Sequence, residues 1–259
     1  MVNVLMSGLV AALLGASIPA QAAACRATSG PGTAALVELF TSEGCDSCPP
    51  AERWLAQLPA DAVAAGRIVP IAWHVSYWDY LGWKDPYAQP RFTERQKDYP
   101  RWNAARNIYT PQVVLAGRDH RGWRLRPVFD DQTRIVQAVP ARAMITIQWD
   151  RAQGLAQVAT TVSNRESSAQ AALNVVLLQS GLSSAVTAGE NRGETLKHAY
   201  VARRWFDSVA VDDAGRAQAN LSIDERAFGA DPRLSLAAFV QDRRSGAILQ
   251  ANILNACAR

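Results

Sequence analysis

Residues 37–55 read VELFTSEGCDSCPPAERWL, and this stretch carries two cysteines, Cys45 and Cys48, separated by two residues. An apolar run rich in β-forming residues precedes the cysteines, while two prolines and an amphipathic segment follow them. Proline is favoured in the first turn of a helix, because its missing N–H would have no helical partner there. The stretch therefore predicts a strand, a loop with the cysteine pair, and a helix that begins beside the pair.

This placement gives the two cysteines a specific chemistry. We expect Cys45 to lie at or just before the helix N-terminus, where unpaired N–H groups and the helix dipole stabilise a thiolate. Cys48, one turn further on, is expected to be more buried. Attack by Cys45 on a substrate disulfide would form a mixed disulfide, which Cys48 would then resolve. Glu43 and Asp46 flank Cys45, and because negative charge disfavours a thiolate, a reductant or isomerase is favoured over a strong oxidant.

The composition is that of an ordinary folded protein. The 259 residues are 49% hydrophobic and 19% charged, with a formal net charge of +4. This length allows one large domain or two smaller ones. The chain has no run of lysine and arginine of the kind that binds nucleic acid, so we expect no nucleic-acid partner.

The beginning of the chain indicates an exported protein. Residues 1–22 carry no charged side chain and form an apolar run that ends in AQA, a pattern suited to signal peptidase. Gly15 and Pro19 interrupt the run, which argues against a membrane span. The sequence predicts a signal peptide over residues 1–22, a periplasmic or secreted mature chain, and no integral membrane segment in that chain.

Export affects the interpretation of the cysteines, since disulfides persist outside the cytosol. The chain has four cysteines, which allow three pairings. Cys45 with Cys48 is favoured by proximity, and this pairing leaves Cys25 with Cys257. We expect this second, structural bridge to join the start and the end of the mature chain. A lipid-modified Cys25 is the alternative, and it would leave Cys257 unpaired.

The chain divides into two regions. Over residues 33–140, strand-like and helical runs alternate, and residues 111–129 read as two strands joined by a polar turn before a last helix. This order is typical of an α/β region with a mixed sheet. Over residues 141–259, short and often alternating runs are separated by Gly, Asp, Asn and Ser. That pattern predicts an antiparallel β-sandwich-like region.

A second motif lies further along the chain than the cysteines. Residues 108–115, IYTPQVVL, place Thr110 and Pro111 directly before an apolar strand. Together with the order strand, CxxC, helix and strand, this motif resembles the thioredoxin fold. The resemblance implies that Pro111 is a cis-proline lying against the dithiol, and that Thr110 and Tyr109 contact the bound substrate. An ordinary trans proline that opens a strand is the alternative.

A closer resemblance rests on four stretches: VELFTSEGCDSCPPAERWLAQL, WHVSYWDYLGWKDPYA, YTPQVV and GENRGETLKHAYVARRW. They resemble an uncharacterised family of secreted, thioredoxin-like bacterial proteins, domain of unknown function 1223. The resemblance covers nearly all of the mature chain and implies a thioredoxin-like fold and export, with no settled activity. Gly44 stands where ordinary thioredoxins have tryptophan, and residues 46–47 replace their Gly-Pro, which leaves the substrate and the redox direction open.

Other side chains are candidates for auxiliary roles. His74 lies near the end of a predicted strand, where α/β sites usually gather, and it could transfer protons, bind a metal or be structural. Glu43, beside the cysteine loop, is a second auxiliary candidate. His120 lies in a polar turn and is expected to be exposed. The aromatic insertion over residues 76–92 forms either a lid over the dithiol or local core packing.

A polar segment, residues 189–205, has two interpretations. It contains Glu190, Asn191, Arg192, Glu194, Lys197 and His198. It is either a binding loop that faces the first region or a polar hairpin turn followed by an exposed strand, and the pattern favours the hairpin.

The sequence as a whole predicts an exported thiol–disulfide oxidoreductase that needs no organic cofactor. Cys45 is the predicted nucleophile, Cys48 the resolving thiol, and Pro111 shapes the substrate groove; the partners are protein or small-molecule thiols and disulfides. One alternative is a copper chaperone that binds Cu(I) through the two cysteines with His74 or His120. A structural zinc site lacks a second closely spaced ligand pair, and we assign no metal ligand. The other alternative is a non-catalytic binding module with a locked disulfide.

Overall fold

The computed structural model describes residues 25–103, 106–163, 169–230 and 233–255. Residues 1–22 and Cys257 lie outside the described residues, so the signal peptide and the Cys25–Cys257 bridge stay predictions. Within the described part of the chain, no helix combines the length and the apolar character needed to cross a bilayer.

The first region alternates strands and helices. A strand before this region, β1 (Cys25–Thr28), pairs with a strand of the second region. In chain order the elements of the first region are β2 (Ala35–Thr41), α1 (Pro49–Ala56), α2 (Ala60–Ala64), β3 (Ile68–His74), α3 (Pro90–Asn103), β4 (Gln112–Leu115), β5 (Arg118–Asp119) and α4 (Arg126–Ala138). Short 3₁₀-helices cover Asp79–Leu81 and Arg121–Arg124.

β2 and β3 form the centre of this region. All 7 residues of each strand are buried, which is typical of parallel strands covered on both faces. They pair in parallel from Ala35 opposite Ile68 to Thr41 opposite His74. The carboxyl ends of both strands therefore meet at one edge of the sheet, where Thr41 and His74 lie side by side.

The hairpin after β2 and β3 is shorter than the sequence predicted. β4 runs antiparallel to β2, and β5 runs antiparallel to β4. β5 has only 2 residues, because the chain enters a 3₁₀-helix at Arg121 and α4 at Arg126. The prediction that residues 111–129 form two strands is therefore wrong for the second strand, which ends at Asp119. Pro127 in the first turn of α4 favours the helix instead.

The second region is almost entirely β-structure. Its elements are β6 (Ala143–Asp150), β7 (Leu155–Val162), β8 (Ala171–Ser180), β9 (Leu182–Ala185), β10 (Thr195–His198), β11 (Val201–Trp205), β12 (Val209–Ala210), β13 (Arg216–Ser222), β14 (Arg233–Asp242) and β15 (Ile248–Asn255). A 3₁₀-helix covers Glu225–Phe228.

The described strands form mixed β-sheets with few helices around them. A 4-stranded antiparallel sheet has the order β1-β6-β7-β13. A 9-stranded sheet has the order β15-β14-β8-β11-β3-β2-β4-β5, with β12 paired to β8. β9 and β10 form a separate two-stranded ribbon.

β11 connects the two regions. It pairs in parallel with β3 and antiparallel with β8, and the amide of Ala72 donates to the carbonyl of Tyr200 at 2.8 Å. Residues 196–205, LKHAYVARRW, belong to two strands, β10 and β11, which are separated at Tyr200, whose φ is 56°. The larger sheet therefore extends across the predicted boundary at residues 140–141.

Two apolar clusters hold these layers together through the hydrophobic effect. The first surrounds β2 and β3 and includes Leu55 of α1 and Phe92 of α3. The second lies between the smaller sheet and the larger one, with Trp149 from β6 facing residues such as Leu173 and Leu236. The first cluster fixes the sheet edge that carries the cysteine loop.

Candidate functional site

The cysteine pair forms a disulfide in the loop between β2 and α1. Neither cysteine has accessible surface. The expectation that Cys48 is more buried than Cys45 is therefore wrong. The helix N-cap is Cys48 rather than Cys45, because Pro49 opens the helix. The amide of Cys48 donates to the carbonyl of Cys45 at 3.2 Å, so Cys45 lies one turn before the helix.

Thr110 and Pro111 lie beside this disulfide. The Thr110–Pro111 peptide bond is cis, as the resemblance implied. The hydroxyl of Thr110 accepts a hydrogen bond from the indole N–H of Trp78 at 2.7 Å and donates to the sulfur of Cys45 at 3.4 Å. Because an indole only donates, it leaves the hydroxyl proton of Thr110 free for the sulfur. The hydroxyl of Ser47 lies 3.3 Å from the same sulfur.

A basic and aromatic groove adjoins the loop. Its volume is about 360 Å³, and it is lined by Ser47, Tyr109, Thr110, Pro111, Arg121, Trp123 and Arg124. The phenol of Tyr109 donates to Asp119 at 2.8 Å. Burial, together with the neighbouring carboxylate, raises the pKa of Tyr109, so this side chain stays neutral. The groove thus combines a hydroxyl-rich wall with two guanidinium groups.

A buried ionic cluster lies behind the loop, and His198 is at its centre. Nε2 of His198 bonds Glu43 at 2.8 Å, and Nδ1 contacts Glu52 closely. Burial alone would lower the pKa of His198, but the two carboxylates outweigh it and raise the pKa to about 10. Trp83 donates to Glu43 at 2.7 Å, and Thr41 donates to Glu52 at 2.7 Å.

His74 extends this cluster at the end of β3. Its Nδ1 lies 2.7 Å from Asp85, whose carboxylate also accepts the amide of Glu43 at 2.9 Å. Burial alone would lower the pKa of His74, but the interaction with Asp85 outweighs this effect, and the pKa is raised. Burial alone would raise the pKa of Asp85, but His74 and the backbone donors outweigh this effect, and the pKa is lowered. Within the described chain, Nε2 of His74 is buried without a hydrogen-bond partner.

The polar segment 189–205 faces the first region and is not simply an exposed hairpin. The buried side chain of Asn191 donates to the carbonyls of Glu43 and Cys45 at 2.8 and 2.9 Å. Glu190 accepts the amide of Asp46 at 3.0 Å. These bonds attach the segment to the cysteine loop.

The structure brings most of the predicted site residues together. Cys45, Cys48, Thr110, Pro111 and Tyr109 lie around the groove, while Glu43 and His74 belong to the buried cluster. The aromatic insertion contributes contacts to both parts through its tryptophans. His120 is half-buried rather than exposed, since it packs on Phe129 with the ring centroids 6.0 Å apart.

Sequence reasoning missed Glu52 and Asp85, and it treated Asn191 and His198 only as members of a polar segment. One local signal was present: Glu52 lies four residues after Cys48, so a helix that starts between them places both on one face. The partners of Asp85 and His198 are too distant in the chain for a local signal.

Residues 36–241 match the family described as "Protein of unknown function (DUF1223)". The chain belongs to this family. No curated protein shows a significant match. DUF1223 membership brings no activity with it, so the activity is argued from the geometry of the site.

Two solved structures are similar to this DUF1223 chain. The crystal structure of protein AGR_C_4864 from Agrobacterium tumefaciens has a TM-score of 0.63 and 26% identity, over 89% of this chain and 98% of that one. HBP35 of Porphyromonas gingivalis has a TM-score of 0.59 and 12% identity, over 86% of this chain and 75% of that one. The second likeness concerns the fold alone.

Proposed function

We propose that the chain is an exported thiol–disulfide oxidoreductase whose first region has a thioredoxin-like fold. The observation that carries the proposal is the position of the Cys45–Cys48 disulfide beside the cis Thr110–Pro111 bond, with the Thr110 hydroxyl donating to the Cys45 sulfur. The parallel β2–α1–β3 unit, the antiparallel β4–β5 pair and the following α4 support the thioredoxin-like assignment.

The reaction is thiol–disulfide exchange. In the reduced protein the Cys45 thiolate attacks one sulfur of a substrate disulfide, the substrate S–S bond breaks, and one substrate thiolate leaves. Cys48 then attacks the Cys45 sulfur as a thiolate, which forms the Cys45–Cys48 bond and releases the second substrate thiolate. Two electrons pass to the substrate, and the reverse sequence oxidises it. The hydroxyls of Thr110 and Ser47 stabilise the Cys45 thiolate as donors.

The groove is the proposed substrate site. Arg121 and Arg124 line it with Tyr109 and Trp123, which favours peptides that carry acidic and aromatic residues. Cys45 has no accessible surface, so the substrate must displace a covering group. Ser47 is exposed, its hydroxyl touches the Cys45 sulfur and it lines the groove, so we infer that displacement of Ser47 opens the sulfur to the substrate.

A second candidate function rests on the burial of both sulfurs and on the two hydrogen bonds from Asn191 to the loop. These features suit a locked disulfide that shapes a binding surface. The loop would then present the groove to a partner without exchanging electrons.

The reduction potential of Cys45–Cys48 distinguishes the two functions. Equilibration of the purified chain with glutathione buffers is expected to give a value in the range of known exchange catalysts, roughly −120 to −270 mV. A value below about −300 mV is typical of structural disulfides and would favour the binding module.

A trapping experiment tests the order of attack. The Cys48→Ala variant is expected to accumulate mixed disulfides with periplasmic or secreted proteins on non-reducing gels, because the resolving thiol is missing. The matched Cys45→Ala variant is expected to accumulate none. Equal trapping by both variants would exclude Cys45 as the specific nucleophile.

Mass spectrometry of the N-terminus of the exported chain tests the predicted cleavage of the signal peptide after Ala22.

A further inference from the structure

Three metal-ligating side chains meet beneath the cysteine loop. Glu52, His74 and His198 are all buried, and one potential ligand atom from each lies within 4.8 Å of the others. Glu52 comes from α1, His74 from the end of β3 and His198 from the end of β10. The chain has 3 histidines, and two of them are in this cluster.

Each of these histidines is held by a carboxylate at one ring nitrogen. Asp85 holds Nδ1 of His74 at 2.7 Å, and Glu43 holds Nε2 of His198 at 2.8 Å. The opposite nitrogens, Nε2 of His74 and Nδ1 of His198, face the cluster, where Nδ1 of His198 contacts the third proposed ligand, Glu52. Metal-binding histidines usually have this arrangement, in which an outer carboxylate orients the ring and increases the basicity of the ligand nitrogen.

His74 supplies the independent observation that points to a ligand. Its side chain has no accessible surface, yet Nε2 has no hydrogen-bond partner among the described residues. Burying a polar nitrogen without a partner is unfavourable. A metal ion bound at Nε2 would remove that cost.

The charge of the cluster also favours a cation. Glu43, Glu52 and Asp85 place three carboxylates in the buried interior. Within the described chain, their hydrogen bonds and ion pairs involve histidine, tryptophan, threonine and backbone N–H groups, and none involves lysine or arginine. Buried negative charge needs a compensating positive charge, which either histidine protons or a divalent ion can supply.

We propose that Glu52, His74 and His198 form a binding site for a divalent transition-metal ion, with Zn²⁺ as the ion that fits best. Two imidazoles and one carboxylate are an established zinc ligand set, and a sulfur-free set does not favour Cu(I). Asp85 and Glu43 act as the outer carboxylates. Zn–N and Zn–O bonds are about 2.0–2.2 Å, so binding requires His74 to approach the ion and the contact between Glu52 and His198 to open. The ion replaces the proton on Nδ1 of His198, which is released to solvent.

The site does not depend on the proposed redox function, because no cysteine is a ligand. Zn²⁺ is therefore titrated into the untagged, metal-free chain with the Cys45–Cys48 disulfide intact, and calorimetry measures the stoichiometry. We expect one ion per chain. Zinc X-ray absorption is expected to show nitrogen and oxygen neighbours, imidazole scattering and no sulfur.

Variants identify the ligands. His74→Gln and His198→Gln are each expected to weaken Zn²⁺ binding at least tenfold, whereas His120→Gln, the matched control at the third histidine, is expected to bind like the wild type. Absence of a one-to-one site in the oxidised wild-type chain would overturn the proposal. So would an equal loss of affinity in His120→Gln.

A measurement on the wild-type chain keeps the test valid if a variant does not fold. Long-range ¹H–¹⁵N spectra report the state of each imidazole nitrogen. Zn²⁺ is expected to shift Nε2 of His74 and Nδ1 of His198 and to leave the ring of His120 unchanged. If neither ring in the cluster responds to one equivalent of Zn²⁺, the site is a hydrogen-bonded structural cluster and the proposal is wrong.

Discussion

The hydroxyl of Thr110 lies between the indole of Trp78 and the sulfur of Cys45, at 2.7 and 3.4 Å respectively. The indole N–H can only donate, so the oxygen of Thr110 accepts this hydrogen bond and its hydroxyl proton is donated to the sulfur. In the disulfide form the contact to sulfur is weak, since a disulfide sulfur carries no charge. In the reduced form the same hydroxyl would face a thiolate, and hydrogen bonds to charged groups are the stronger ones.

Replacement of Thr110 by valine tests this contact. A hydrogen bond to a charged group contributes about 1.5 kcal/mol or more, so reduced Thr110→Val is expected to react with iodoacetamide at pH 7 about tenfold more slowly at Cys45 than the wild type. Thr110→Ser, which keeps the hydroxyl, is the matched control and is expected to react at nearly the wild-type rate. An unchanged rate in the valine variant would show that the hydroxyl does not stabilise the thiolate.

At the scale of elements, the cysteine loop is held from two sides. α1 begins directly after Cys48, and the amides of Ala51 and Glu52 in its first turn donate to the carbonyl of Cys48. The segment 189–198 closes the other side, where Asn191 donates to two loop carbonyls and Glu190 accepts a loop amide. The loop conformation is therefore a property of both regions of the chain.

Asn191→Ala is expected to loosen the loop without altering the fold. The carbonyls of Glu43 and Cys45 would lose their donor, and a buried unsatisfied group costs about 1–3 kcal/mol. Hydrogen–deuterium exchange of residues 43–48 is expected to accelerate, and urea denaturation is expected to show the stability loss. Asn220→Ala, at an exposed asparagine of β13, is the control and is expected to change neither. Wild-type exchange in the Asn191 variant would contradict the assignment.

At the scale of the whole molecule, the buried side chain of Arg95 joins elements of both regions. Arg95 of α3 donates from Nε to Glu38 of β2 at 2.6 Å and from a terminal nitrogen to Gln241 of β14 at 3.2 Å. Tyr99 and Trp73 also donate to the Glu38 carboxylate. The guanidinium is therefore the counter-charge of a carboxylate with no accessible surface.

Arg95→Met is expected to destabilise the chain strongly. Removal of one partner of a buried pair leaves an uncompensated charge and costs about 3–5 kcal/mol, as measured by urea denaturation. Adding Glu38→Gln to Arg95→Met is expected to recover part of the loss, because the unpaired charge is gone. Arg101→Met on the same helix removes only an exposed pair with Asp98 and is expected to cost less than about 1 kcal/mol. Similar losses for the two arginine variants would refute this role of Arg95.

Much of the local structure could be predicted from the sequence alone. The strand before Cys45, the helix after it and the strand after Pro111 follow from apolar runs and proline positions, which act over a few residues. The β-rich character of residues 141–259 follows from alternating runs in the same way. The exact N-cap could not be predicted, because the two prolines allow the helix to begin on either side of the second cysteine.

Only the tertiary structure decided the surroundings of the cysteine loop. The insertion of β11 between β8 and β3 brings His198 to the edge of the sheet where β3 ends at His74. Glu43 and His198 form a hydrogen bond there, although 155 positions separate them in the sequence. Such contacts arise from sheet pairing and from burial of apolar faces, which depend on the whole chain and have no short-range pattern. The amino-acid sequence by itself determined the cysteine pair and the elements that flank it. The folded chain determined which carboxylates and histidines surround that pair, because burial selects partners by position in space.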